Sequence, residues 1–233
     1  MSKYKPVFFD IETTGFNPMT PRWYSDSIPA EVTAVCIGEI RDWTEDGEER
    51  RSNTFVNRGN EEYETLEEVR SHLEFIEEKY ADNGWVPFLV GHNVIQFDVM
   101  YWSARCARLR QSPYPISNGW RRLDTMRALS LPPSDENGPT QYPGQQDYAD
   151  YLGLDYVDRL DGSDMPEAFV DGEYEEILIH VRDDVETLMD VFMEEREDMV
   201  AYFWDHYDNS HDNPLDEPSP EFTDSVTIGS DEG

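Results

Sequence analysis

The stretch that most restricts the architecture is KPVFFDIETTGF, residues 5–16. An apolar run, Val7-Phe8-Phe9, leads without a break into Asp10-Ile11-Glu12. Side chains two apart on a strand share a face, so Asp10 and Glu12 project together while Ile11 faces the other way. Two unit charges about 4 Å apart repel by roughly 4 kcal/mol at an effective dielectric of 20. A strand that carries both acids to the edge of a core therefore needs cations. Hard oxygen donors select Mg2+ or Mn2+ over Zn2+. The competing reading is a strand that ends at the surface, with both acids in water.

The rest of the chain reads as strands and helices in alternation. Residues 4–10, EVTAVCIGEI (31–40), SNTFVN (52–57) and WVPFLVG (85–91) have the apolar, β-branched character of strands. The Pro-rich link at 17–30 is expected to be a loop. Leu66, Val69, Leu73, Ile76 and Tyr80 fall on one face of a helix over 65–80, with Thr65 and Glu68 placed as a capping box. A second helix is expected from Asp98 to Arg110, with Val99, Trp102, Cys106 and Leu109 inward. Residues 131–147, rich in Pro, Gly and Gln, predict a loop or lid. Short helices are expected at 147–153 and 172–180, the latter continuing into a final helix that ends near Trp204. Its apolar stripe is Ile177, Val181, Val185, Leu188 and Phe192. Residues 205–233 hold nine acids and no Lys or Arg, which predicts a disordered tail behind a single domain at 1–204. The element order implies an α/β fold, a mixed sheet with helices packed against it.

Charge narrows the setting. Asp and Glu number 51 against 18 Lys and Arg, for a net charge of −33, and only Lys3, Lys5 and Lys79 are lysines. Such acidity is compatible with disorder, with a surface that imitates DNA, or with life in molar salt. At 1 M salt the Debye length is roughly 3 Å and self-repulsion is screened. Aromatic residues at 13% and the periodic segments argue against disorder. The acid excess with few lysines resembles proteins of salt-loving archaea or their viruses. Cys36 and Cys106, both in apolar surroundings, read as free thiols of a reducing compartment. Without a long apolar run or signal-peptide features, no membrane partner is expected, and the location expected is the cytoplasm, or a host's cytoplasm for a viral protein.

Two further segments carry acids in suggestive places. GHNVIQFD (91–98) leaves a buried strand and sets Asp98 at a helix start, where the dipole alone also favours an acid. HVRDDVETL (180–188) puts His180 and Asp184 on one helix side, with Asp183 the register alternative and a solvated helix face the competing reading. Together with FFDIETTGF (8–16), these segments resemble the three motifs of the DEDD superfamily, the DnaQ-like 3′–5′ exonucleases. RRLDTMRAL (121–129) and GEYEEILIHVRDDVETLMDVF (172–192) are similar to segments of the exonuclease domains related to family B DNA polymerases.

The resemblance implies a ribonuclease H-like fold, a mixed five-stranded sheet flanked by helices. It implies hydrolysis of phosphodiester bonds at a nucleic-acid 3′ end with two Mg2+ or Mn2+ ions about 4 Å apart. Asp10 would bridge the ions, Glu12 and Asp184 would complete one position, and Asp98 would hold the other through water. The backbone at Thr13 and Thr14 would meet the terminal nucleotide, Asn93 would lie in the strand-binding turn, and Phe16 or Phe97 would stack on bases. Family members carry a Tyr four residues before the last Asp or a His five before it. Here His180 stands four before Asp184, a tyrosine-type frame holding a histidine, able to orient or deprotonate water or to be structural only.

A polyanion also needs cations on the protein. Residues 101–130 hold Arg105, Arg108, Arg110, Arg121, Arg122 and Arg127 against one acid, Asp124. That block, with Trp120 beside Arg121 and Arg122 as a stacking surface, is the expected strand-binding rim. Single-stranded DNA is the expected partner. An exoribonuclease on the same scaffold and a catalytically silent nucleic-acid-binding module remain open.

Overall fold

A computed structural model describes residues 3–15, 31–44, 47–59, 61–117, 119–129, 143–156, 160, 162–199 and 201–202. Five strands form one sheet in the order β3-β2-β1-β4-β5. They are β1 (Lys3–Thr13), β2 (Val32–Thr44), β3 (Gly47–Val56), β4 (Trp85–Gly91) and β5 (Arg121–Asp124). The first three are antiparallel neighbours, and β4 and β5 run parallel to β1. The sheet is thus mixed, as expected. β5 was not anticipated as a strand: it is four residues long and opens on two arginines, too short to show a period.

Strand parity sorts the core into two layers. Tyr4 and Phe8 of β1, Ala34, Cys36 and Ile40 of β2, and Phe88 and Val90 of β4 pack with α4 (Gln145–Leu152), α5 (Met165–Asp171) and α6 (Tyr174–Glu194). Val7, Phe9 and Ile11, with Val35, Ile37 and Leu89, pack with α1 (Glu62–Ala81) and α2 (Asp98–Leu109). Phe8 meets Phe192 of α6 edge-on at 5.3 Å, and its neighbour Phe9 meets Trp102 of α2 at 6.2 Å. Continuing that alternation past Phe8 delivers Asp10 and Glu12 to the α6 face. Gly38 of β2 lets α6 come close, because a Cβ there would lie 2.7 Å from Val185 Cγ1 and 3.2 Å from Phe8 Cβ.

Several boundaries moved for physical reasons. α1 begins three residues before the expected start, and Thr65 does not cap it. Its hydroxyl donates to the carbonyls of Glu61 and Val56, inside the first turn. The helix expected at 172–180 runs on into the final one, as expected. Gly172, at φ +79°, ends α5 in the left-handed conformation that favours glycine, and α6 starts at Tyr174. The expected continuation to Trp204 is met in part: α6 stops at Glu194, helical turns resume at 196–199 and 201–202, and Trp204 lies outside the described residues. So do the proposed tail at 205–233, Phe16, and most of the 17–30 and 131–147 loops. Cys36 and Cys106 are free and buried. Among the described residues no helix is long and apolar enough to cross a membrane.

Candidate active site

The four expected acids arrive from three directions. Asp10 and Glu12 come from the C-terminal end of β1, half-buried beneath α6. Asp184 comes from α6, one turn after His180, on the edge of the stripe Ile177, Val181, Val185, Leu188 and Phe192, all buried. Asp98 comes from the opposite layer, as the first residue of α2, and is 2% exposed. It reaches the strand end by accepting the Ile11 N–H on Oδ1 at 3.3 Å.

Their electrostatics show the convergence. Burial holds the Asp10 carboxyl well above the usual carboxylate range, and the charges of Asp98, Glu12 and Asp184 push the same way. Asp98 is pushed up to about 8, by burial first, against hydrogen bonds from its own N–H and that of Ile11 and with help from Glu12 and Asp124. Asp183, the register alternative, has Arg182 Nη2 3.7 Å from its Oδ1. Asp184 is the one that joins Glu12 and His180, with ligand atoms of all three within 4.8 Å of one another. His180, 6% exposed, places Nε2 3.2 Å from Glu12 Oε1 and 3.3 Å from Asp184 Oδ2.

The donor set fits divalent cations. Burial first, and the charges of Asp98, Glu12 and Asp184 after it, disfavour the ionised form of Asp10, which a bound cation would offset. Hard oxygens in that arrangement suit Mg2+ or Mn2+. One ligand atom each from Glu12, His180 and Asp184 lies within 4.8 Å of the others.

Comparison with protein-family models and with curated proteins returns no match. Solved structures do match. The family B DNA polymerase of the hyperthermophilic archaeon Pyrobaculum calidifontis superposes with a TM-score of 0.58 at 18% identity, over 82% of this chain and 24% of the polymerase. A product-bound exonuclease I superposes with a TM-score of 0.50 at 11% identity, over 88% of this chain and 47% of that enzyme. The fold, a mixed five-stranded sheet flanked by helices, is the one these two structures share with the chain. The chain spans about a quarter of the polymerase and about half of the exonuclease I it matches.

Around these acids the remaining expected residues are distributed unevenly. Thr13 and Thr14 follow Glu12 directly and are buried. The Thr14 N–H donates to the Glu31 carbonyl at 3.0 Å and its hydroxyl accepts from the Glu31 N–H at 2.8 Å, so this backbone is tied to the start of β2. Asn93 sits in the turn after β4 at φ +63°, and Phe97, half-buried, precedes Asp98 and leans on Tyr101.

Members of the arginine block make contacts within the fold, and Arg127 Nε lies 3.9 Å from Asp124 Oδ2. Arg105 is buried and donates from Nε and Nη2 to the two oxygens of Glu62, at 2.7 and 2.5 Å. Arg122 donates to the carbonyls of Ile116 and Ser117. Arg121 lies over the Tyr4 ring at 5.0 Å. Tyr4 is six residues before Asp10, about 20 Å along an extended strand. Arg108 and Arg110 are exposed on the far end of α2. Trp120 is not a stacking surface: it is buried in the α1–α2 layer and donates Nε1–H to Glu77.

Sequence reasoning missed three residues that hold the site. Asp124, buried at the end of β5, accepts the N–H groups of Asn93 and Ile95 at 2.9 and 3.2 Å and fastens the turn that carries Asp98. Tyr156 donates its hydroxyl to Asp184 Oδ1 at 3.0 Å. Gln145, at the start of α4, donates to the Asp184 carbonyl at 2.6 Å. RRLDTMRAL marked the segment of Asp124 without a role, and nothing local marks Tyr156 or Gln145.

Proposed function

We propose that the chain is a metal-dependent 3′–5′ exonuclease that hydrolyses phosphodiester bonds at the 3′ end of single-stranded DNA. The observation that carries this reading is geometric: Glu12 and Asp184 offer ligand atoms within 4.8 Å of each other and of His180, and Asp98 accepts the N–H of Ile11, the residue between Asp10 and Glu12. The likeness to exonuclease I and to a family B polymerase supports it through the fold. In the proposal Asp10, Glu12 and Asp184 hold one divalent ion, and Asp10 with Asp98 holds a second. Such ions lower the pKa of an attacking water and stabilise the leaving oxygen.

The chain's own residues do the rest. Asp124 keeps the turn at 91–98 in place, so that Asp98 faces Asp10 from the opposite layer. Tyr156 and Gln145 fix the side chain and backbone of Asp184. Thr13, Thr14, Asn93 and Phe97 border the acids and would meet the terminal nucleotide, with Phe97 offering a ring to a base. Phe16, Arg121 and Arg122 are retained as proposed contacts for strand farther along.

The net charge of −33 leaves little room for affinity through many phosphate contacts. Binding would come from metal–phosphate ligation, stacking and backbone hydrogen bonds. We therefore place the working range in concentrated salt, with cleavage persisting above roughly half-molar KCl.

The test is degradation of a 3′-labelled oligonucleotide with Mg2+ or Mn2+, with Asp10→Ala as control and DNA and RNA in parallel, across a KCl series. Loss of label only with the native chain supports the proposal. Preference for RNA would make it an exoribonuclease, and equal product with Asp10→Ala would sink it.

A further inference from the structure

We propose that His180 is a metal ligand. The cation position assigned above to Asp10, Glu12 and Asp184 then gains an imidazole nitrogen, and it takes Mn2+, or another divalent ion with affinity for imidazole, ahead of Mg2+. The inference rests on the nuclease reading only in assuming that divalent ions enter the acid cluster.

Nε2 of His180 faces two carboxylates at once. A charge-assisted N–H to carboxylate contact settles near 2.7–2.9 Å. His180 Nε2 instead stands almost equally far from two carboxylates, 3.2 Å from Glu12 Oε1 and 3.3 Å from Asp184 Oδ2. Bonds of about 2.1 Å put adjacent ligand atoms roughly 3.0 Å apart in an octahedron and roughly 3.4 Å apart in a tetrahedron. Both observed separations fall between those values. All three donor atoms lie within 4.8 Å of one another.

The arrangement is held from outside. Tyr156 takes Asp184 Oδ1, which leaves Oδ2 as the oxygen facing His180. Gln145 holds the Asp184 carbonyl, and the apolar stripe of α6 fixes the helix against the sheet. His180 is 6% exposed, with buried Ile177 and Val181 on the same helix, so its ring has little freedom to turn away.

Ligand type then sets selectivity. Mg2+ demands near-ideal octahedral oxygen coordination and dehydrates reluctantly. Affinity for a site that includes imidazole rises along the series Mn2+, Fe2+, Co2+, Ni2+. Mn2+ accepts both carboxylate oxygen and imidazole nitrogen, so the native His180 biases this position toward it.

The experiment is Mn2+ binding to the full chain in concentrated KCl, which suppresses loose binding to exposed acids. It is followed by electron paramagnetic resonance. Pulsed spectra should show coupling to a directly bound nitrogen-14, replaced by nitrogen-15 coupling when histidine is labelled, and lost in His180→Gln. Mn2+ affinity in that variant should fall on the order of ten-fold, with a smaller change for Mg2+ by competition. Circular dichroism checks folding, and His180→Asn serves if His180→Gln folds poorly. Mn2+ bound to the acids without nitrogen coupling, or coupling unchanged in both variants, overturns the ligand role of His180 and leaves the nuclease reading intact. A binding isotherm that Asp10→Ala and Glu12→Gln together leave unaltered overturns metal binding by the whole cluster.

Discussion

Two sets of acids, each at least half-buried, are answered in opposite ways in this protein. Glu62 and Glu39, 5% and 1% exposed, are answered from within the chain. Arg105 forks onto Glu62, which also accepts the Val32 N–H at 2.9 Å. Lys79 and the Tyr80 hydroxyl meet Glu39 Oε2 at 2.6 and 2.7 Å. Asp10 and Asp98 face other carboxylates, and among the described residues neither forms an ion pair. A buried acid with its own cation is part of the scaffold. Buried acids that confront each other leave a deficit of positive charge, which an ion from solution can fill. In a chain with 51 acids, it is this difference, and not acidity itself, that marks the site.

Replacing one acid from each set breaks the comparison most directly. Asp10→Asn is expected to lower cleavage of a 3′-labelled oligonucleotide by at least about a thousand-fold, since it removes the shared ligand. The same change should leave the metal-free melting temperature equal or higher, because it relieves repulsion. A clear fall in melting temperature would place Asp10 with the scaffold acids. Arg105→Met should do the reverse, costing about 3–5 kcal/mol by urea denaturation through an unpaired buried Glu62. Cleavage per folded molecule should be unchanged, and adding Glu62→Leu should restore much of the stability.

Removing a support of the site, and not a ligand, should have a smaller effect. A hydrogen bond to a charged group contributes about 1.5–3 kcal/mol, so Tyr156→Phe should lower kcat on the order of ten- to a hundred-fold. KM for the oligonucleotide should stay constant, and a change confined to KM would assign Tyr156 to strand binding. Smallest is the pH response. The folded-state pKa of Asp98 is raised from 3.8 to about 8, so between those values the folded chain binds more protons than the unfolded one. Metal-free stability should therefore fall as pH rises through that window. Asp98→Asn should flatten the slope, and divalent ion should oppose it by binding the charged form. An identical slope in Asp98→Asn would show that the general acidity sets it.

The parts of this site that were legible in the sequence are those fixed by local period. Parity along β1 forces Asp10 and Glu12 onto the side of Phe8, and the stripe of α6 forces His180 and Asp184 to the same flank. Partners across the fold were not legible. Local charge in the arginine-rich block does not reveal that Glu62, 43 residues away, engages Arg105. Tyr156 and Asp124 sit in segments too short or irregular to show a period, and their roles exist only once the chain has closed. β5 went unnoticed for the same reason.

Gly38 gives the site a set gap. The helix bearing Asp184 and His180 rests on the sheet where β2 offers no side chain, with Val185 and Met189 of α6 filling that place. The glycine therefore acts as a shim of zero thickness between two plates, the sheet bearing Asp10 and Glu12 and the helix bearing His180 and Asp184. A single methyl group inserted there would widen the aperture from a residue that never touches an ion. The radius of the cation admitted could thus drift over evolution while every donor atom stayed the same.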